Sequence, residues 1–191
     1  MTITETLYVT SREAWREWLA ANHRDKQEIW LVSYRKSAGR PGIPYHEAVE
    51  EALCFGWIDG IRKTFGTEAS AQRFTPRRKG SGFSQINKER LARLIEQGKV
   101  IPEVLASIGA LELDSFAFPD DIVRALKADE KAWAFFHQTP PPYQRIRVAY
   151  VDSARSRPEE FEKRLRNLVE KSARETYFGY GIDDFFGTER R

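Results

Sequence analysis

Residues 75–82, Thr75-Pro76-Arg77-Arg78-Lys79-Gly80-Ser81-Gly82, bring three cations, two glycines and two hydroxyls together just before a segment patterned as a helix. No acid occurs between Thr75 and Asn87. Three physical effects favour an anion at such a junction. First-turn N–H groups have no intrahelical acceptor, and the helix dipole adds partial positive charge at that end. Glycine lets consecutive N–H groups turn inward as a nest. Arginine adds a planar fork that grips phosphate or carboxylate through two bonds. Ser81 and Ser84 could cap the helix or bind the anion, Phe83 supplies an apolar wall, and Asn87 stands one turn in on the loop side. A three-cation run alone is usually a solvated face, and Ser-Gly before a helix is an ordinary cap. The junction of charge, glycine and helix start makes 75–87 the candidate site.

The residues upstream belong to the same reading. A strand over 57–65, a turn at Gly66-Thr67 and a returning strand over 68–75 form a hairpin. Strict alternation puts Trp57, Asp59, Ile61, Lys63 and Phe65 on one face, and Ile58, Gly60, Arg62 and Thr64 on the other. Neither face is cleanly apolar, as expected of a strand lining a polar pocket or of an edge strand with one wet face. Arg62 and Arg73 within the strands need partners or a pocket. Trp57 could stack on a ring or fill the core. Asp59 could orient an arginine or ligand, form a turn with Gly60, or act as general acid or base with Tyr34 or Tyr45. The same arginines and aromatics could bind single-stranded nucleic acid. The leading expectation is a phosphorylated or carboxylated small molecule, with nucleic acid and acid–base catalysis as alternatives.

Other chemistries find little support. Cys54 is the one cysteine, which excludes an intrachain disulfide. It sits between Leu53 and Phe55 and reads as buried and inert. His23, His46 and His137 are far apart, and no metal-ligand spacing is present. No dinucleotide, Walker or nucleophile-elbow motif occurs in a suitable context, so any cofactor is left open.

The elements that would hold the site read as α+β: a small, mostly antiparallel sheet with packed helices, followed by a helical C-terminal part. A short strand at 7–10 precedes a helix capped by Ser11, with Trp15, Trp18 and Leu19 facing the core. A strand spans 28–35, a loop 36–44 and a helix 45–55, the last with Ala48, Val49, Ala52 and Leu53 on one face. The helix after the basic loop runs from 84 to Gly98. Helices follow over 122–127, 128–138, 143–154 and 158–175, with Thr139-Pro140-Pro141-Pro142 as a stop. The expected organisation is an α+β core over 1–112, a helical part over 113–175 packed on it, and an aromatic, charged tail over 176–191. Tyr177, Phe178, Tyr180, Phe185 and Phe186 of that tail could dock on the body or on a partner.

The chain has 31 basic and 28 acidic residues, so its net charge of +3 gives nucleic acid only weak support. No apolar run approaches bilayer length, and residues 1–7 lack the charged and apolar regions of an export signal. A cytoplasmic protein with no membrane partner is expected.

Two blocks carry a family resemblance: Glu51-Ala52-Leu53-Cys54-Phe55-Gly56-Trp57-Ile58-Asp59-Gly60, and residues 73–90 continuing through Leu94-Ile95-Glu96-Gln97-Gly98. They resemble the bacterial YdeI/OmpD-associated, or bacteriocin-protection, family. Members commonly show Ser-x-Trp-Ser where this chain has Ser81-Gly82-Phe83-Ser84, and often Met where Val100 stands. Their C-terminal Ala-Lys…Glu-Thr-Arg stretch corresponds to Ser153-Ala154-Arg155-Ser156-Arg157-Pro158-Glu159-Glu160 here. The resemblance implies a link to antimicrobial-peptide resistance or stress, and assigns no catalytic residue or cofactor.

Overall fold

A computed structural model describes residues 2–179, Ile182 and Phe185. The chain divides into two compact units: Met1–Gly82 with Arg90–Leu111, and Phe83–Glu89 with Glu112–Arg191.

The first unit carries a mixed four-stranded sheet in the order β1-β2-β4-β3. Its strands are β1 (Thr6–Leu7), β2 (Ile29–Tyr34), β3 (Trp57–Phe65) and β4 (Ala69–Pro76). β1 runs parallel to β2, and the other two pairings are antiparallel. β1 is shorter than the 7–10 expected, because the chain leaves the sheet to begin α1 (Arg12–Asn22) at the Ser11 cap. The Ser11 side chain accepts from the Ala14 N–H at 3.2 Å, as its residue type implies. The remaining helices are α2 (Tyr45–Cys54), α3 (Gln85–Glu96) and α4 (Pro102–Ile108). Residues 85–89 of α3 group with the second unit and 90–96 with the first. Gly98 ends α3 at φ 65°, where the Lys99 N–H reaches back to the Leu94 carbonyl at 3.0 Å, a Schellman closure.

Aromatic side chains fill the layer between the sheet and α1. Trp15 lies against Phe74 with ring centroids 5.3 Å apart, and Trp18 meets Trp57 edge-on at 5.9 Å. Two buried indole N–H groups find carbonyls: Trp15 donates to Ala48 at 3.0 Å and Trp57 to His23 at 3.1 Å.

The strict alternation expected for β3 does not hold. Asp59 pairs with Phe74, but the next pairing is Arg62 with Gln72. One extra residue is accommodated as a bulge. Directly opposed residues share a face, so Asp59 and Arg62 lie on the same side of the sheet, not on opposite sides. Gln72 stabilises the bulge by donating to the Gly60 carbonyl at 2.7 Å.

The second unit is helical: α5 (Asp120–Lys127), α6 (Glu130–Gln138), α7 (Pro141–Asp152) and α8 (Pro158–Ala173) join the start of α3. Ile122, Leu126, Phe136, Val148, Val151 and Leu168 form its core. The proline run is a start as well as a stop. Thr139 ends α6 and the prolines open α7, where a missing N–H costs nothing. Tyr177 and Phe178 return to pack on Tyr143, with centroids 5.1 and 6.5 Å from it. Tyr180 and Phe186 lie outside the described residues.

Candidate functional site

In the first unit most of the expected site residues have internal partners. Trp57 is 1% exposed and belongs to the core. Asp59 is half-buried and accepts from the Tyr45 hydroxyl, the pairing from which any acid–base role would start. Arg62 is exposed and donates to Ser70 Oγ at 2.6 and 2.8 Å. Arg73 is paired with Glu28, Nε to Oε2, at 2.6 Å. Hydrogen bonds from Thr4 and Arg73 hold the Glu28 carboxyl below its usual range.

The basic loop is a tight turn. The Arg77 N–H is tied to the Gly56 carbonyl at 2.8 Å, and partial burial lowers its guanidinium pKa. Ser81 donates both its N–H, at 3.2 Å, and its hydroxyl, at 2.8 Å, to the Arg78 carbonyl. Gly80 supplies the left-handed conformation at φ 77°. Arg78, Lys79 and Gly80 are exposed. Phe83, Ser84 and Asn87 group with the second unit, where Ser84 is exposed, Phe83 half-buried and Asn87 buried. The residues read from sequence as one site therefore fall in two units.

Sequence reasoning missed a buried ionic cluster in the first unit. Glu50 and Glu51, adjacent on α2, are 2% and 1% exposed. Arg12 bridges both, reaching Glu51 Oε1 at 2.5 Å and Glu50 Oε2 at 3.0 Å. Arg16 holds Glu51 Oε2 at 2.6 Å, and Arg93 pairs with Glu50 Oε1. Desolvating such ions costs several kcal/mol each, so the cluster persists only because every carboxylate oxygen is engaged. The available signal was the placement of two acids directly between Val49 and Ala52, inside the apolar face of α2.

The second unit holds a cavity of about 530 Å³. Its walls come from Ser84, Gln85 and Ile86 at the α3 start, from the α7 segment around Ile146, Arg147 and Tyr150, from Asn167 on α8, and from Phe178 and Gly179. Ser84 is the helix N-cap: its carbonyl accepts from the N–H groups of Asn87 at 2.9 Å and Lys88 at 3.0 Å. The N–H groups of Gln85 and Ile86 lie before the first intrahelical acceptor.

Arg147 is the charged residue of this wall and is only 7% exposed. Its guanidinium carbon lies 5.0 Å from the Phe178 ring centroid, 5.4 Å from Tyr150 and 5.9 Å from Tyr143. Among the described residues no carboxylate pairs with it, and its buried Nε donates no hydrogen bond. Burial lowers its pKa, opposed by the neighbouring Tyr143 and Tyr150. Glu89, the nearby buried acid of the same unit, is committed elsewhere: Arg145 grips both its oxygens at 2.6 and 2.8 Å, and Gln85 donates to it at 2.7 Å. The sequence signal for Arg147 was its spacing. Tyr143, Arg147 and Tyr150 stand at i, i+4 and i+7, which puts a guanidinium on an aromatic stripe.

Residues 7–107, more than half of the chain, match the family model of a domain of unknown function, DUF8412. The chain belongs to that family. Residues 115–175 of this DUF8412 member match a second model, described as Bacteriocin-protection, YdeI or OmpD-Associated. The YdeI/OmpD-associated resemblance thus stands, but on different residues. Its model covers the C-terminal helices, and the blocks at 51–60 and 73–98 fall within the DUF8412 match. Searches of curated proteins and of solved structures return no match. Among the described residues, no helix is long and apolar enough to cross a membrane.

Proposed function

We propose that the protein binds an anionic small molecule in the cavity of its second unit. The observation that carries this reading is Arg147: a residue only 7% exposed, on a cavity wall, with no carboxylate partner among the described residues. A buried cation without a counter-charge is costly, and an anion in the cavity would relieve that cost. The start of α3 contributes on the same wall. Its dipole end adds about half a unit of positive charge, and the Gln85 and Ile86 N–H groups can donate to an oxyanion. Ser84, the N-cap, lies within the reading; Arg77, Arg78 and Lys79, in the other unit, take no part in it. A volume of about 530 Å³ falls within the roughly 300–1,000 Å³ of small-molecule sites.

The test is thermal unfolding of the purified chain against a panel of carboxylates, phosphates and sulfate, with chloride as control. A saturating anion contributes RT ln(1 + [L]/Kd), so at about a hundredfold excess over Kd the melting temperature should rise by roughly 5 °C or more. Arg147→Gln should remove the shift. A panel with no member that shifts the wild-type chain refutes the reading.

A further inference from the structure

We infer that the ligand of this cavity is a singly charged acid on an apolar body, with a monocarboxylate as the simplest case. This rests on the anion site proposed above and narrows its occupant. Charge narrows the occupant first. Arg147 is the one ionisable cation among the described residues lining the cavity, and Ser84, Gln85, Ser153 and Asn167 are neutral. The faces of Tyr143, Tyr150 and Phe178 already compensate part of the guanidinium's charge. With the α3 dipole end added, the wall offers one full and about half a positive charge. A phosphomonoester dianion would keep uncompensated negative charge in a partly enclosed apolar space, whereas a monoanion balances it.

The rest of the wall favours an apolar body. Ile86, Ile146, Ala149 and Phe178 offer hydrocarbon and ring contact beside the neutral polar groups of Ser153 and Asn167, and no second cation is present among the described lining residues to meet a second phosphate. The backbone also limits the approach. Gly179, at φ 122°, sits so close that a Cβ there would lie 2.6 Å from Arg147 Nη1. The chain therefore closes over one side of the guanidinium and restricts the space left for a bulky head group.

The experiment is calorimetry on the full chain with four probes: 3-phenylpropionate, phenyl phosphate, acetate and inorganic phosphate. 3-Phenylpropionate should bind at least tenfold more tightly than phenyl phosphate or acetate. Arg147→Gln should weaken it by about tenfold to a hundredfold, the range for a lost charged hydrogen bond. Should Arg147→Gln fold poorly, Ser84→Asp serves instead. It keeps a good N-cap, so the helix is retained, and its carboxylate on the wall should weaken 3-phenylpropionate to a similar degree. If phenyl phosphate binds as well as or better than 3-phenylpropionate and Arg147→Gln abolishes both, the monoanion inference fails and the anion site survives. If no probe binds, or binding ignores both variants, both fail.

Discussion

Cys54 and Glu50 show how burial decides what a reactive side chain can do. Cys54 is buried on α2, and burial followed by the nearby Glu51 charge pushes its thiol up to about 11. Thiol reagents at neutral pH should leave it unmodified until the protein unfolds, measured by labelling with and without denaturant. The same shift has a sign in stability. The folded state holds the proton more tightly than the unfolded chain, so this contribution is complete below about pH 9 and is lost as pH rises toward 11. Cys54→Ala should therefore lose less stability than the wild type between those values, by roughly 2–3 kcal/mol in denaturant titrations at each pH. Glu50 is the opposite case, a buried acid held in ion pairs by Arg12 and Arg93. Glu50→Ala should cost about 3–5 kcal/mol, because both arginines lose a buried counter-charge.

At the scale of elements, caps and turns were the most legible features. Ser11 as the cap of α1 and Gly98 as the end of α3 followed from residue type, since their roles are local. Ser11→Ala should lower stability by about 1 kcal/mol in the same titration. The hairpin was legible in its limits, with β3 at 57–65 as read and β4 displaced by one residue. Its bulge was not, because an extra residue in one strand shows only when the partner's register is known. The cavity was half legible. Ser84 came from the helix-start pattern, but Arg147 lies 63 residues later on a helix read only for its limits. No local signal joins the two; only tertiary packing does. The 75–79 cations stood out because sequence displays charge, while the structure shows Arg73 paired with Glu28 and the turn using Ser81's own hydrogen bonds.

Over the whole molecule, pairing governs how the positive excess is felt. Arg12, Arg16, Arg73, Arg93, Arg145, Arg155 and Arg164 all face acids within their own unit. Arginines paired in this way add little to long-range attraction, and the net charge is only +3. Fluorescence anisotropy with a labelled single-stranded oligonucleotide should accordingly show no steeply salt-dependent association between about 50 and 200 mM salt. The bulge of β3 also bears on how the molecule behaves in a crowd. β3 is the long outer strand of the sheet, with Ile61 and Phe65 exposed. A flat outer strand of that length is a template on which a second chain can lay its own backbone and begin a fibril. The extra residue breaks the rhythm of outward N–H and C=O groups, and Arg62 and Lys63 follow directly after it. Removing Ile61 would restore that rhythm, and the shortened chain should scatter light at concentrations where the parent stays clear.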